Sequence, residues 1–205
     1  MPRLRSLQLT LLISLLNFAL PVCGDNLLQT ANNILLYQRN TGGWPKNYDR
    51  DAKLSETERT QLKLDKAQTD STIDNGATHR EIRILAKAYH RLGNQQFQDA
   101  AVAGVKYLLQ AQYDNGGWPQ RYPQPSSYHQ HITYNDDAMI GVMNLFRNIV
   151  QGSGDLEFVS SDIRRQCDRA LQRGLQCILK TQIRVDGRLT AWCAQHDVKT
   201  LAPAK

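Results

Sequence analysis

A sequence motif of glutamine, glycine and tryptophan occurs three times in this chain, at long and nearly regular intervals. The copies run from Gln38 to Trp44, from Gln112 to Trp118 and, more loosely, from Gln182 to Trp192, and they begin 74 and then 70 residues apart. Each copy follows a stretch of helical periodicity. A fixed period of this size indicates one supersecondary unit that is repeated around a solenoid or ring.

Apolar residues recur at helical spacing through most of the chain, and strand alternation is nearly absent. Ser55 and Glu58 have the spacing of a capping box and predict a short surface helix between the longer ones. The sequence therefore predicts an all-α protein. Its longer helices are expected at residues 25–38, 74–92, 97–110, 136–150 and 159–180.

The predicted helices place two kinds of residue on one face. Short connections such as Gly93-Asn94 make consecutive helices antiparallel, so the helices that begin at Asp74 and Asp136 run in one direction. The returning helices end in the tryptophan loops, which brings these loops to the end where the two aspartates lie. The third loop should lead into a third outgoing helix, and the chain ends at Lys205 before one begins. We therefore expect an incomplete ring.

The N-terminus has the features of a secretory leader. Arg3 and Arg5 form a basic segment, residues 7–20 are apolar, and Val22-Cys23-Gly24 suits cleavage. We expect residues 1–24 to be a signal peptide and residues 25–205 to be a partial domain that is secreted or periplasmic. The alternatives are an uncleaved membrane anchor and lipid attachment at Cys23.

The three cysteines after the leader are an odd number for an exported protein. Cys167 and Cys177 lie ten residues apart on one predicted helix, about 15 Å along its axis, which is too far for a disulfide. Cys193 can pair with either only if its loop folds back. Because the spacing fits no zinc pattern, the sequence predicts buried free thiols.

The chain is basic, with a formal net charge of +6 and a pI of about 9.2. A basic exported protein is typical of one with an anionic partner, such as nucleic acid, a lipid surface or an acidic polysaccharide. The sequence has no dense Lys/Arg run, so a solvated surface explains the charge equally well.

Two acidic segments precede the outgoing helices. Residues 72–78 and 133–139 each place Thr, Asn and Asp directly before a helix. Capping can explain one such residue, but Asn135, Asp136 and Asp137 stand together. Clustered carboxylates and an amide oxygen suit a hard cation such as calcium. The candidate metal ligands are Asp74, Asn75, Asp136 and Asp137.

The tryptophan loops supply candidate substrate contacts. Trp44 and Trp118 have flat faces suited to stacking on sugar rings, with a loop-anchoring role in the core as the alternative. Lys46 and Arg121 follow them closely and could meet a carboxylated sugar. Arg188 is a further candidate in the third copy. We expect His79 and His196 to be hydrogen-bonded polar residues and not catalysts.

With these segments in view, residues 26–205 resemble a pectate lyase of polysaccharide lyase family 10. The resemblance lies in the combination of five segments, at residues 40–47, 72–78, 116–120, 132–139 and 186–197. It implies an (α/α)3 toroid, which agrees with the three repeats. It also implies an activity on polygalacturonate, in a monomer that binds neither nucleic acid nor, once its leader is removed, a membrane.

The resemblance further implies calcium-assisted β-elimination. Asp74 and Asp136 match the calcium-binding acids of the family, with Asn75 beside the first. The base of the family is an arginine, which we expect just after Lys205, and Arg188 is not assigned to that role. We therefore expect the full-length parent to be an active lyase and this 205-residue chain to be inactive or nearly so.

Three other functions are compatible with parts of the pattern. The repeated sequence motif also resembles that of triterpene cyclases, which are α/α toroids with an apolar cavity. A non-catalytic, calcium-dependent pectin-binding module fits if the chain is naturally complete. An unrelated secreted helical scaffold is the third alternative.

Overall fold

The computed structural model describes residues 23–204. Residues 1–22 and 205 lie outside the described residues, so the predicted leader, apart from its last two residues, falls outside this account. Six α-helices and four two-residue strands form the described chain. The helices are α1 (Cys23–Tyr37), α2 (Glu56–Leu64), α3 (His79–Leu92), α4 (Gln95–Ala111), α5 (Ala138–Gln151) and α6 (Ser161–Thr181). The strands are β1 (Ile132–Thr133), β2 (Arg184–Val185), β3 (Arg188–Leu189) and β4 (Gln195–His196).

The long helices form α/α pairs, as predicted. α3 packs against α4 and α5 against α6, while α1 packs beside α3. The tight turn between α3 and α4 uses Gly93, which adopts a left-handed conformation with φ of 68° and caps α3. The all-α class and the α/α toroid arrangement are confirmed. The capping box of α2 is also present, with Ser55 and Glu58 bonding to each other's backbone.

The outgoing helices begin later than predicted. Asp74–Gly76 forms a 3-10 turn in which Asn75 is left-handed, and α3 starts only at His79. Likewise, α5 starts at Ala138 because Asp136 and Asp137 both have positive φ. The acidic residues therefore lie on turns in front of the helices and not in their first helical turn.

The small strands tie the loops together at this end of the helices. β1 pairs antiparallel with β4, with Ile132 opposite His196. β2 and β3 form a hairpin in the third tryptophan loop, and both are exposed. The β1–β4 pair thus joins the chain before α5 to the chain after the third loop.

The core fills the space between the helices. Trp44, Trp118 and Phe146 are among its largest buried side chains. Cys167 and Cys177 are buried free thiols, which confirms the prediction for these two, and Cys193 is a half-buried free thiol. Burial raises the pKa of Cys167 to about 12. Across the described residues, every helix is too short or too polar to cross a membrane.

Candidate functional site

The first tryptophan loop is bonded directly to the Asp74 turn. The Trp44 amide donates to Thr78 Oγ1 at 3.1 Å, and the Thr72 amide donates to the Trp44 carbonyl at 3.0 Å. Thr78 Oγ1 in turn donates to the Thr72 carbonyl at 2.8 Å. The loop and the acidic turn are therefore one unit, as the shared-face prediction requires.

The second tryptophan loop joins both acidic segments. The Thr133 amide donates to the Trp118 carbonyl at 3.2 Å. Two residues after Trp118, the Gln120 carbonyl accepts from the Ile73 amide at 3.0 Å and from Thr72 Oγ1 at 2.6 Å. The Asp74 turn also packs against α5. Two segments about 60 residues apart in sequence thus meet at one face.

The predicted stacking role of Trp44 and Trp118 is wrong. Both indoles are fully buried, and each is anchored through Nε1 at 2.8 Å, Trp44 to the Ile34 carbonyl and Trp118 to the Leu108 carbonyl. A ring held in this way offers no face to a ligand. The tryptophans fix the loops against the helices, and the backbone of the loops forms the hydrogen bonds to the acidic segments.

Lys46 is paired with Asp74 in this structure, so the predicted contact with a carboxylated sugar requires this pair to open. Its ammonium group pairs with Asp74 Oδ2, on a carboxylate whose side chain is only 5% exposed. Asp74 Oδ1 accepts from the Asn75 amide at 3.0 Å. A cation that binds Asp74 must therefore replace Lys46 on this oxygen.

Four residues of the acidic turns have left-handed backbone conformations. Their φ angles are 51° at Asn75, 69° at Thr78, 54° at Asp136 and 56° at Asp137. Thr78 is β-branched, for which this conformation is rare. Such residues cost about 1–3 kcal/mol each and cluster at binding and catalytic sites. Their concentration beside the candidate ligands favours a functional role for this face.

Asp136 and Asp137 are exposed on the turn before α5. The Asn135 side-chain amide donates to Asp136 Oδ2, and the Asn135 backbone amide donates to the Ala194 carbonyl at 3.3 Å. Asn135 Oδ1 is buried with no hydrogen-bond partner among the described residues. A buried oxygen without a partner is unfavourable, so this oxygen beside a carboxylate is expected to bind a cation or to accept a hydrogen bond from a ligand or water.

A cavity of about 420 Å³ lies between the second and third loops. It is lined by Gln120, Tyr128, Asn135, Cys193, Ala194, Gln195 and Ala204. Gln120 Oε1 and Asn135 Oδ1 are both buried without a partner in the described chain. Gln120, Tyr128 and Gln195 were not among the predicted binding residues, and Asn135 was noted only as part of the acidic segment before α5. The nearest signal in the sequence is that Gln120 and Asn135 adjoin the predicted site residues Arg121 and Asp136.

A second hollow lies between α3 and α5, next to Asp137. It is lined by His79, Arg80, Arg83, Asp137, Ile140, Gly141 and Asn144 and has a volume of about 340 Å³. Burial, and then the charges of Arg80 and Arg83, lower the pKa of His79 to about 4. His79 Nε2 has no described hydrogen-bond partner, so the prediction of a fully bonded His79 is wrong.

His196 is hydrogen-bonded at both ring nitrogens, as predicted. Nε2 accepts from the Cys193 amide at 3.1 Å, and Nδ1 lies 2.9 Å from the Leu201 carbonyl. The ring therefore holds the third loop in place, at 0% exposure. A side chain bonded and buried in this way is a structural residue.

The two candidate arginines have different surroundings. Arg121 is half-buried, and its backbone forms an isolated antiparallel β-bridge with Thr72. Its side-chain Nε is buried without a described partner. It therefore lies beside the Asp74 turn, as predicted. Arg188 is exposed on the β2–β3 hairpin, and none of its described hydrogen bonds or ion pairs reaches Asp74 or Asp136.

The oxygen donors fit an open calcium site better than a closed one. Within residues 23–204, no three acidic, His or Cys side chains are grouped so as to hold a metal ion. Calcium takes six to eight oxygen ligands, which include amides, carbonyls and water. If calcium bound here, Asp74, Asn75, Asp136 and Asp137 would supply some of these ligands. The remainder would come from water and from a carboxylated ligand.

The sequence and the fold of this chain are both similar to those of known polysaccharide lyases. A sequence profile of the family described as pectic acid lyase matches residues 38–205. An Asp-to-Ala mutant of the family 10 polysaccharide lyase from Cellvibrio cellulosa, in complex with trigalaturonic acid, is 31% identical with a TM-score of 0.77. The match covers 87% of this chain and 56% of that chain.

The family 10 polysaccharide lyase from the same organism is also similar in a second structure. It is 30% identical with a TM-score of 0.72, over 89% of this chain and 58% of that one. No curated protein matches the sequence significantly. This chain spans somewhat more than half the length of the solved structures that it matches. Because the profile covers most of the sequence, the chain belongs to the pectic acid lyase family.

Proposed function

We propose that this chain is the cation-binding and substrate-binding part of a lyase that acts on polygalacturonate. The observation that carries the proposal is the packing of the Asp74 turn against α5, the helix that directly follows Asp136 and Asp137, near a cavity with two unpartnered buried oxygens. Family membership and the trigalaturonic acid complex of a similar protein support the choice of substrate.

The proposed reaction is β-elimination. A base removes the proton at C5 of a galacturonate unit, the C4–O4 bond breaks, and the electron pair forms a C4–C5 double bond. The departing O4 carries the other sugar chain and gains a proton. Bound calcium supplies neutralisation of the uronate carboxylate, which stabilises the charge that develops as the C5 proton leaves.

The residues of this chain bind and orient the sugar chain. Asp74 and Asp136 hold the cation, with Asn75 and Asp137 beside them. When Asp74 turns to a cation, the Lys46 ammonium is released and becomes available to a substrate carboxylate. Gln120 Oε1 and Asn135 Oδ1 accept hydrogen bonds from sugar hydroxyls in the cavity, which satisfies two buried oxygens.

The base is the part of the site that these residues do not supply. By family resemblance it is an arginine that would follow Lys205. The 205-residue chain is therefore proposed to bind polygalacturonate as a monomer without cleaving it. We further propose that the protein is exported through the leader at residues 1–24.

Binding and turnover can be tested separately. Calorimetric titration with oligogalacturonate should show binding only with calcium present, and ultraviolet absorbance should detect no unsaturated product. Asp74→Asn should weaken binding by about tenfold or more, the loss of one charged ligand at about 1.5–3 kcal/mol. Asp168→Asn, on the exposed face of α6, is the matched control. Equal binding with and without calcium would reject the proposal.

A further inference from the structure

The three tryptophan units share one hydrogen-bonding scheme, although their loops differ in length. In every unit the indole Nε1 donates at 2.8 Å to the carbonyl four residues before the glutamine. The glutamine Nε2 donates to the carbonyl two residues before the tryptophan. The carbonyls that accept from tryptophan belong to Ile34, Leu108 and Ile178, and those that accept from glutamine belong to Gly42, Gly116 and Thr190. The third unit is therefore folded like the other two.

The glutamine of each of the first two units also binds the next returning helix. Gln38 Nε2 donates to the Ala100 carbonyl of α4 at 2.9 Å, 62 residues ahead. Gln112 Nε2 donates to the Ala170 carbonyl of α6 at 2.8 Å, 58 residues ahead. Gln182 donates to Thr190 alone among the described residues.

Both docked helices carry glycine four residues after this alanine. A Cβ added at Gly104 would lie 2.7 Å from the Trp44 ring. A Cβ added at Gly174 would lie 3.1 Å from the Trp118 ring. The alanine carbonyl binds the glutamine, and the glycine lets the helix lie flat on the indole. An Ala-x-x-x-Gly helix is thus the element that this loop receives.

In the third unit no residue of the described chain covers the corresponding surface. Trp192 is 41% exposed, whereas Trp44 and Trp118 are 0% exposed. Leu175 of α6 is 43% exposed, although Val105 at the same position of α4 is 1% exposed. Leu179, one turn later, is also exposed. We call Leu175, Leu179, Gln182 and Trp192 the third docking surface.

We propose that the third docking surface receives an α-helix with a small residue and a glycine four positions apart, from chain that continues beyond Lys205. The small residue places its carbonyl on the free amide hydrogen of Gln182, and the glycine lies against the Trp192 ring. By the spacing of the first two units, that carbonyl belongs to a residue about 60 positions after Gln182.

The occupant is a continuing segment and not a second copy of this chain. A second copy has its two Ala-x-x-x-Gly helices already docked on its own tryptophan loops. The similar solved structures are longer, since this chain covers 56% and 58% of them. Added chain of that length is enough for a further helix pair.

The third docking surface also differs from the first two in one respect. Gly42 and Gly116 have φ of 94° and 92°, and a Cβ there would lie 2.6 and 2.1 Å from a carbonyl of the docked helix. Thr190 stands at the equivalent position by its hydrogen bonds. Thr190, unlike glycine, carries a Cβ at this position, and its hydroxyl donates to the Ile183 carbonyl at 3.0 Å. The third helix therefore docks farther from the loop and depends more on Gln182 and Trp192.

The experiment uses a chimera in which the segment of the Cellvibrio cellulosa lyase that follows its matched region is joined to this chain at Lys205. Acrylamide quenching of Trp192, taken as the difference between the chimera and its Trp192→Phe variant, should fall severalfold from its value in the 205-residue chain. The same segment, added as a separate fragment, should bind the chain in sedimentation. Neither readout requires lyase activity.

A pair of charges placed on the apolar surface gives the matched comparison. The double variant Leu175→Lys, Leu179→Lys should leave the Tm of the 205-residue chain unchanged and should lower that of the chimera by about 5 °C or more. It should also abolish binding of the fragment. Leu64→Lys, at an exposed leucine of α2, should do neither.

Two outcomes overturn the proposal. One is undiminished quenching of Trp192 in the chimera together with no binding of the fragment. The other is a dimer of the 205-residue chain that the double lysine variant dissociates, since that assigns the surface to a second copy.

Discussion

At the scale of single residues, the Lys46 ammonium occupies one carboxylate oxygen of the candidate cation ligand Asp74. The carboxylate is buried and the ammonium is 28% exposed. Removing the lysine leaves a buried negative charge without its partner, which lowers stability. A divalent cation can then restore the balance of charge.

Lys46→Met should therefore lower the Tm in the presence of a chelator and should bind calcium more tightly than the unmodified chain. We expect calcium to raise the Tm of the variant by more than it raises that of the parent, because no ammonium competes for Asp74. Differential scanning calorimetry with and without calcium measures both effects. Lys53→Met, at an exposed lysine, is the control, and identical calcium shifts in all three proteins would contradict the account.

His79 gives a prediction for acid stability. Burial lowers its pKa from 6.5 to about 4, so the unfolded chain binds more protons than the folded chain between these values. Stability should fall as the pH drops through this window, by up to about 3 kcal/mol at its acid end. His79→Gln removes the titrating group. Urea unfolding at several pH values should show a shallower acid loss for the variant, and parallel losses would be evidence against a buried neutral histidine.

At the scale of elements, the docking of α4 and α6 on the tryptophan loops depends on two helical glycines. A Cβ at Gly104 would meet both Ile82 and Trp44 at 2.7 Å. A Cβ at Gly174 would meet Trp118 at 3.1 Å and the flexible Met143 at 3.2 Å. The first contact is much harder to relieve than the second.

Gly104→Ala should therefore destabilise the fold by about 1–3 kcal/mol, the usual cost of overpacking. Gly174→Ala should cost less, because the Met143 side chain can move and alanine favours a helix. The pair forms its own control, since the substitution is the same in both. Denaturant unfolding at one pH compares them, and an equal or reversed order would mean that the indoles do not limit the approach of the helices.

The burial of the tryptophans could not be predicted from their spacing. The repeat period located the loops, and the shared face followed from antiparallel helices. Whether an indole points outward to a sugar or inward to a helix depends on partners distant in sequence, such as Gly104 for Trp44. The predicted start of α3 was too early for a related reason. Hydrogen bonds from the Trp44 amide and to the Thr72 carbonyl hold Thr78 at a positive φ. These bonds join residues distant in sequence, so local helix propensity does not predict them.

At the scale of the whole molecule, the candidate site is built where three loops and two acidic turns meet at one end of the α/α pairs. The position of Asp74 and Asp136 at this end was predictable because both precede outgoing helices. The Lys46–Asp74 pair and the cavity at Gln120 and Asn135 were not, because they arise from contacts between loops. Arg188 stands apart from this group on its exposed hairpin.

In the proposed site, Asp74 and Asp136 hold one calcium ion together with the substrate. A double-mutant cycle on calcium-dependent binding of oligogalacturonate tests it, with Asp74→Asn, Asp136→Asn and both changes combined. The account predicts that each single change weakens binding strongly and that the second change adds little to the first. Additive effects, or unchanged binding in either single variant, would show that the two carboxylates do not share an ion.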